Sequence, residues 1–289
     1  MKKTLFRIFK GILIFLLIVL AIAGGILAYN MWLNQTFVTT FYTVTTDKDI
    51  ENMRIVELSD LHLREYGEKN ADLVERIRNL KPDIITVAGD MNIDENPDYT
   101  VVLELMEQLV EIAPVYYGPG NHEWAGIYGW HYSAMADDIA ATGAHFLLQQ
   151  YEDVEINGNK LRIGGIFEWP QEQLEWSNSQ KVVDALDAQK QDTSDVYTIL
   201  ICHCPELFYT SLQNVQVDLA ISGHAHGGLV RLPHTDGLWS TSQGFLPKYT
   251  SGVRQIGEST VVISRGLGDS EPYPRIFNQP ELVVIDIEK

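Results

Sequence analysis

A chain of 289 residues with 45% hydrophobic content and no excess of Gly or Pro has the composition of a globular protein of one sizeable domain or two small ones. Its 21 Lys and Arg against 39 Asp and Glu give a net charge of −18; Lys2, Lys3, Arg7 and Lys10 precede residue 11 and no acid precedes Asp47, so residues 47–289 carry −22. A surface of that sign repels polyanions, which argues against nucleic acid as a partner, and against adhesion to anionic lipid unless a local positive centre exists.

The first predicted element is a membrane helix. Residues 1–10 form a basic segment, and residues 11–29 read GILIFLLIVLAIAGGILAY without a single charge. As a helix that run spans about 30 Å, the hydrocarbon thickness of a bilayer. Tyr29 and Trp32 stand where interfacial anchors belong, so residues 11–32 are assigned as a transmembrane anchor. Basic flanks stay cytoplasmic, which predicts a single-pass protein of the cell membrane with its N-terminus inside and its main domain outside. Cleavage as a signal peptide after Ala21-Ile22-Ala23 is the competing reading, weakened because the apolar run continues past that site. There is neither a twin-Arg pair nor a Cys placed for lipidation.

Residues 33–52 form a short connection and a first strand, since 35–46 is rich in Thr, Phe, Tyr and Val. Strand-like apolar runs follow at MRIVEL (53–58), IITVAG (84–89), PVYYGP (114–119), LRIGGI (161–166), VYTILIC (196–202), VDLAISG (217–223), TVVISRG (260–266) and ELVVIDI (281–287). Between them Leu73, Ile77 and Leu80, and Val101, Leu105, Leu109 and Ile112, recur at helical spacing. Alternating β and α elements with near-continuous apolar strands predict one α/β domain over 53–289 whose sheets are covered by helices. The last third is richer in strand than in helix, so a purely parallel sheet is not expected. Cys202 and Cys204 are too close for a relaxed disulfide and read as small buried hydrophobes, their side chains turned away from His203.

Chemistry-bearing residues follow the strands. Asp60 and His62, spaced D-x-H, come after 53–58, and Gly89-Asp90 closes 84–89. Gly120-Asn121-His122-Glu123 follows 114–119, His203 follows 196–202, and Gly223-His224-Ala225-His226-Gly227-Gly228 follows 217–223. Open α/β sheets place ligand sites at the C-terminal ends of strands, and five of the eight histidines occupy these positions. Singly the motifs are weak: a lone D-x-H is more often an N-cap Asp before a surface His, and Gly-Asp after a strand is a common turn. Two imidazoles at i, i+2 in a glycine-flanked loop have few structural uses, and the ordered set is far harder to obtain by accident.

This ordered set, D-x-H, G-D, G-N-H-E, H and G-H-x-H, resembles the calcineurin-like metallophosphoesterase superfamily. Within it, Gly227-Gly228 running into Val230-Arg231-Leu232-Pro233, and Val262-Ile263-Ser264-Arg265-Gly266-Leu267-Gly268 followed by Pro280-Glu281, are similar to the YkuE-like bacterial membrane-associated phosphoesterases. The resemblance covers roughly residues 53–289. Ala225 stands where Thr is common, and Met91-Asn92 after Gly89-Asp90 departs from the usual pattern; neither replaces a motif ligand. The resemblance implies a four-layer αββα sandwich of two mixed β-sheets flanked by helices, here preceded by the transmembrane helix. It implies that Asp60, His62, Asp90 and His226 bind one divalent metal ion. Asp90 would bridge to a second, held also by Asn121, His203 and His224. His122 would be catalytic, outside the metal shell and near the leaving-group oxygen, and a metal-bridging hydroxide would hydrolyse a phosphate monoester or diester.

Charge counting agrees with that reading. Two divalent ions bring four positive charges, Asp60 and Asp90 return two, and a bridging hydroxide leaves the centre about one unit positive inside a strongly negative domain, which is what an anionic phosphate needs. Two ions about 3.5–4 Å apart acidify a bridging water and clamp the phosphoryl oxygens. Oxygen and nitrogen ligands without thiolate suit Mn, Fe or Zn. The short connection to the anchor points to an envelope or lipid-linked phosphate. Arg265 and Arg275 are candidate phosphate contacts, although a surface position is the default for each. The alternatives are a membrane-anchored, non-catalytic metal-binding or scaffold protein, and a different two-metal hydrolase such as an amidase.

Overall fold

The computed structural model describes residues 2–93, 97–128, 134–167, 178–192, 194–232, 235–269 and 275–289. The uncharged run folds as helix α1 (Lys2–Leu33), which also takes in the basic flank. Among the described residues it is the one helix long and apolar enough to cross a membrane, and its apolar stretch packs against nothing. Only a helix satisfies its own backbone in lipid, so sequence and conformation agree.

The chain continues through β1 (Val38–Thr45), β2 (Met53–Leu58), α2 (Ala71–Leu80), β3 (Ile84–Ala88), α3 (Thr100–Val110), β4 (Val115–Gly118), α4 (Asn121–Tyr128) and α5 (Met135–Ala141). It then forms β5 (His145–Phe146), β6 (Gln150–Ile156), β7 (Asn159–Ile166), α6 (Asn178–Leu186), β8 (Tyr197–Cys202) and β9 (Leu219–Ser222). It closes with β10 (Trp239–Ser240), β11 (Gly244–Phe245), β12 (Gly252–Ile256), β13 (Ser259–Ile263) and β14 (Glu281–Glu288).

Two six-stranded sheets stack, in the orders β1-β14-β2-β3-β4-β5 and β12-β13-β9-β8-β7-β6. Both are mixed. In the first, β14 runs antiparallel to β2; in the second, β12 opposes β13 and β6 opposes β7. Ile55, Ile84, Val283 and Ile285 meet Ile163, Ile199, Ile201 and Ile221 between the sheets. Leu73 and Ile77 of α2 and Leu105 and Leu109 of α3 cover the outer face of the first sheet, and Val182, Val183 and Leu186 of α6 cover that of the second. Each such side chain contributes about 1.5–3 kcal/mol by leaving water. The layers are therefore αββα, as the resemblance implies.

β1 pairs in parallel with β14 along its whole length, Val38 with Glu281 through Thr45 with Glu288. The segment after α1 is thus part of the first sheet, and the end of the helix is held close to the domain. Glu57 of β2 breaks the apolar pattern of its strand. It is fully buried with neither carboxylate oxygen hydrogen-bonded. Burial first, then the charges of Glu281 and Asp60, push its pKa far above the carboxylate range, so it is held neutral.

Candidate metal centre

Every predicted site residue sits where a strand ends. The loops after β2, β3 and β4 deliver Asp60 and His62, Asp90, and Asn121 with His122; those after β8 and β9 deliver His203, and His224 with His226. The stacked sheets bring the two sets together across the interface. His203 Nε2 of the second sheet lies 2.9 Å from Asp90 Oδ2 of the first, and the His224 backbone N–H donates to Asp60 Oδ1 at 3.0 Å.

The backbone is bent to make this meeting. Asp60, His62, Asp90, His224 and His226 have φ between 45° and 68°, a left-handed conformation that costs a non-glycine residue about 1–3 kcal/mol and persists only where the surroundings impose it. Asp60 N–H to Gly89 carbonyl (2.9 Å) and His62 N–H to Asp90 carbonyl (3.1 Å) impose it by lacing the first two loops together. Two motif glycines follow from the same crowding. A Cβ on Gly120 would fall 2.2 Å from Asp90 Oδ1, and one on Gly223 would fall 2.3 Å from Asp60 Oδ2.

The donor atoms fall into two groups around the carboxylates. In the first, His62 Nε2 and His226 Nε2 are 3.3 Å apart, with Asp60 Oδ1 3.4 Å from the latter. In the second, His203 Nε2 faces Asp90 Oδ2 and lies 3.2 Å from His224 Nδ1. Asp60-His62-His226 and Asp90-His203-His224 each gather their donor atoms within 4.8 Å, the spread of a metal-binding group. Asn121 Oδ1, on the residue before His122, is buried without a protein hydrogen-bond partner, and an orphaned amide oxygen at that position fits a cation ligand. The donors are hard oxygens and imidazole nitrogens, so the residues fit divalent metal ions.

Electrostatics fits the same reading. Burial drives His62 down to about 3, against the opposing pull of Asp90. It lowers His224 as well, with His203 adding to the effect, and puts His226 well below its usual range, helped by His62 and Arg275. These imidazoles keep their lone pairs. Burial would also lower His203, but Asp90 and Asp60 together outweigh it and hold the ring up at about 10. Asp90 is driven well below the carboxylate range despite its burial, by His203 and then His122. Asp60 is raised to about 6 by burial, which outweighs the neighbouring His203, with Asp90 adding to the rise. His203 Nδ1 lies 2.6 Å from the Ala88 carbonyl, which as an acceptor fixes the proton on Nδ1 and aims Nε2 into the site.

His122 belongs to neither group but borders both, its donor atom lying within 4.8 Å of those of His62 and Asp90. Its ring packs edge-on against His62 with centroids 4.9 Å apart, its Nε2 is 3.8 Å from Asp90 Oδ2, and its side chain is 25% exposed. Its backbone N–H donates to Asp90 Oδ1 at 2.9 Å, at the start of α4. The ring therefore lies beside the carboxylate and open to a substrate.

Three residues support the site in roles that were not foreseen. Glu123, fully buried, accepts from the backbone N–H groups of Asp90, Met91, Asn92 and Gly120 and from the Tyr117 hydroxyl; it is the final residue of G-N-H-E, a signal that was in view without a role attached. Arg275 is fully buried, against the surface position taken as the default. Its guanidinium donates to the Gly268 and His226 carbonyls and lies 3.2 Å from His226 Nδ1. Nothing in the local sequence marks it. Arg265 is likewise engaged, with Glu281 at 3.0 Å, so neither arginine waits at the surface for phosphate. Glu206 is buried with both oxygens unpartnered and, with Cys204, lies within 4.8 Å of the His224 ring. Cys202 packs into the outer core of the second sheet as expected, but the Cys204 thiol, pushed far up by burial and then by Glu206, is turned toward the site rather than away from it. Pro233, the last residue of the Val230–Pro233 run in the resemblance, lies outside the described residues.

The model of the calcineurin-like phosphoesterase family matches residues 53–228, and the chain belongs to that family. It is a metallophosphoesterase, a hydrolase of phosphoric esters whose family works with divalent metal ions. It is 27% identical over 278 residues to the uncharacterized metallophosphoesterase YkuE of Bacillus subtilis, covering 92% of this chain and 91% of that protein. It is 22% identical over 242 residues to the phosphodiesterase YaeI of Escherichia coli, covering 81% and 82% respectively. The solved structure of a dimetal phosphatase from Danio rerio aligns over 76% of this chain and 89% of its own, with 13% identity and a TM-score of 0.41.

Proposed function

We propose that the chain hydrolyses a phosphate ester at a dinuclear centre on the outer face of a cell membrane, with an envelope or lipid-linked phosphate as substrate. One observation carries the reading: imidazole nitrogens 3.3 Å and 3.2 Å apart, beside two buried carboxylates and an orphaned amide oxygen. Imidazole nitrogens that close share a proton or a cation between them, and two such pairs beside two buried carboxylates suit a pair of cations. Asp60, His62, Asp90 and His226 would hold one ion, and Asp90, Asn121, His203 and His224 the other, with Mn, Fe or Zn suited to the donors. Such ions supply positive charge for the phosphoryl oxygens and acidify a water. His122, beside Asp90 and open to solvent, holds a proton for the departing oxygen; a general acid contributes about 10²–10⁴ in rate. Residues 11–32 anchor the chain, 1–10 remain cytoplasmic, and 53–289 form the catalytic domain behind the connection and strand at 33–52.

The full chain in detergent, stripped by chelation and reloaded with Mn²⁺, is expected to cleave bis-p-nitrophenyl phosphate or p-nitrophenyl phosphate. Asp90→Asn is expected to abolish turnover with folding retained. Bound metal without turnover of either ester defeats the proposal and leaves a metal-binding scaffold.

A further inference from the structure

The end of α1 does not hang free. Asn30, only 2% exposed, donates to the Ile26 carbonyl and accepts the backbone N–H of Phe277. One turn on, Asn34 donates to the Arg275 carbonyl and receives Arg64 on its own carbonyl. From Phe277 a ladder of backbone bonds leads outward. Ile276 N–H bonds the Leu229 carbonyl, and Arg231 N–H bonds that of Ile276. Leu238 N–H bonds Val230, and Leu246 N–H bonds Leu238, while Trp239 pairs with Phe245 across β10 and β11. At about 4.8 Å per step, the β10–β11 hairpin ends roughly 15 Å from the last turn of the helix.

That ladder carries an exposed apolar row. Among the described residues outside α1, eight large apolar side chains are exposed, and Phe277 (45%), Leu232 (46%), Leu246 (72%) and Phe245 (84%) all belong to it. The two most exposed are neighbours in the hairpin. Met31 and Trp32, at the end of α1, are exposed as well. The charge also changes sign here. Residues 224–256 contain Arg231, Lys248 and Arg254 against Asp236 alone, a net +2 within residues 47–289 at −22. Lys248 lies exposed two residues beyond Leu246. This is the local positive centre that an acidic domain needs before it can approach anionic headgroups.

We infer that the β10–β11 hairpin, with Leu232 and Phe277, docks on the outer leaflet of the bilayer that α1 crosses. The lipid surface is the occupant because the apolar row is continuous with the exit point of the membrane helix and the exposed Lys248 flanks it, while Arg254 is paired with Asp236 and Arg231 with the Gly227 and Thr235 carbonyls. His226 lies six residues before Leu232, one of the docked side chains, so docking holds the metal centre within roughly 21 Å of the headgroups. The inference rests on α1 as an anchor, not on catalysis.

The test uses the full chain in vesicles of phosphatidylcholine and phosphatidylglycerol, with an environment-sensitive fluorophore on Phe245→Cys, Leu246→Cys or, as a control, Asn157→Cys in the exposed β6–β7 turn. Cys202 and Cys204 are buried and stay unlabelled. Labels at 245 and 246 are expected to shift to the blue and to be quenched by lipids spin-labelled near the headgroup, while the label at 157 does neither. Equal quenching at 157 and 245, or none at 245, overturns the docking. Release of the protein by alkaline carbonate overturns the anchor itself, a separate failure. In a second arm, Phe245→Ser with Leu246→Ser lowers turnover of a vesicle-borne phosphate ester about tenfold, corresponding to about 1.4 kcal/mol, and leaves soluble p-nitrophenyl ester turnover unchanged; equal loss on both overturns the inference.

Discussion

Replacing Glu123 by Gln should unfasten the metal centre without touching a predicted ligand. Glu123 Oε2 accepts the N–H groups of Asp90 at 2.7 Å and Gly120 at 2.8 Å, and Oε1 accepts those of Met91 (2.9 Å) and Asn92 (3.2 Å) and the Tyr117 hydroxyl (3.0 Å). Five donors converge on two acceptors. In Gln one of these atoms becomes an NH2, so one pair of donors faces another donor in a site with no water access. Hydrogen bonds to a charged group contribute about 1.5–3 kcal/mol each, and losing a pair sets the cost at about 3–6 kcal/mol, a large share of the ~5–15 kcal/mol that holds a domain together. A domain of this size loses about 2–4 °C per kcal/mol, so the melting temperature of the metal-free full chain in detergent should fall by roughly 10 °C. The positive φ of Asp90 is imposed by this same loop, so metal content per chain should fall as well, even below the melting transition. A Glu123→Gln protein that melts within a degree or two of the parent and carries its full metal complement would refute the reasoning. It would mean that β3 and α4 position Asp90 and Asn121 unaided.

Metal uptake at about pH 8 should release at least one proton per chain, because His203, held up at about 10 by Asp90 and Asp60 over the effect of burial, must surrender its Nε2 proton to a cation. Titration calorimetry in two buffers of different ionisation heat measures this, and zero release would place His203 outside the metal shell. Glu57→Gln should stabilise the protein at alkaline pH. A carboxyl whose folded pKa is raised gives stability that is fully present below its unfolded value of 4.5 and lost as pH climbs toward the folded one, at about 1.4 kcal/mol per unit. The variant should therefore melt above the parent at about pH 8 and match it near pH 4; a gap independent of pH would show that Glu57 is not held neutral. Glu206→Gln should weaken the second metal ion about 10–100-fold if its carboxylate steadies His224, whereas Cys204→Ala should leave affinity unchanged. The reverse pattern in metal analysis would make the thiol the ligand.

The clustering of the candidate ligands was legible because each follows a strand. Residues 53–58, 84–89, 196–202 and 217–223 are short, β-rich and almost unbroken in apolarity, so their ends could be located within a residue and the Asp and His beyond them read as one surface. The strands that were missed are those that lack this signature. β6 reads QYEDVEI, with three acids in seven residues, and β12 reads GVRQI; both lie at the edges of the second sheet, where one face meets water and alternation replaces an apolar run. α5 is seven residues long with two acids in its first turn, too short to establish a period. Of the supporting residues, Glu123 was in view but unassigned because a carboxylate that accepts backbone N–H groups looks like any loop acid. Arg275 owes its role to its contact with His226 across 49 positions, and Glu206 is placed by the fold within 4.8 Å of His224; no local pattern encodes either. The fate of the residues after α1 was half legible: a strand was expected, but its parallel pairing with the C-terminal β14 is a long-range fact.

That pairing gives the acidic charge a purpose. A domain of −22 tethered by a flexible linker would sample every orientation and, repelled by anionic lipid, spend most of its time turned away from it. Here no such freedom exists, because β1 joins the first sheet five residues after α1 ends and Asn30 and Asn34 fasten the helix to the segment around Arg275. Arg275 in turn reaches His226. With the pivot fixed, the docking inferred above would hold residues 224–256, at net +2 by sequence, toward the headgroups. The same residues include His224 and His226, so that face would carry two of the seven candidate ligands. An acidic protein can in this way present a cation-holding site to an anionic surface, and orientation rather than affinity for lipid decides which phosphates the site meets.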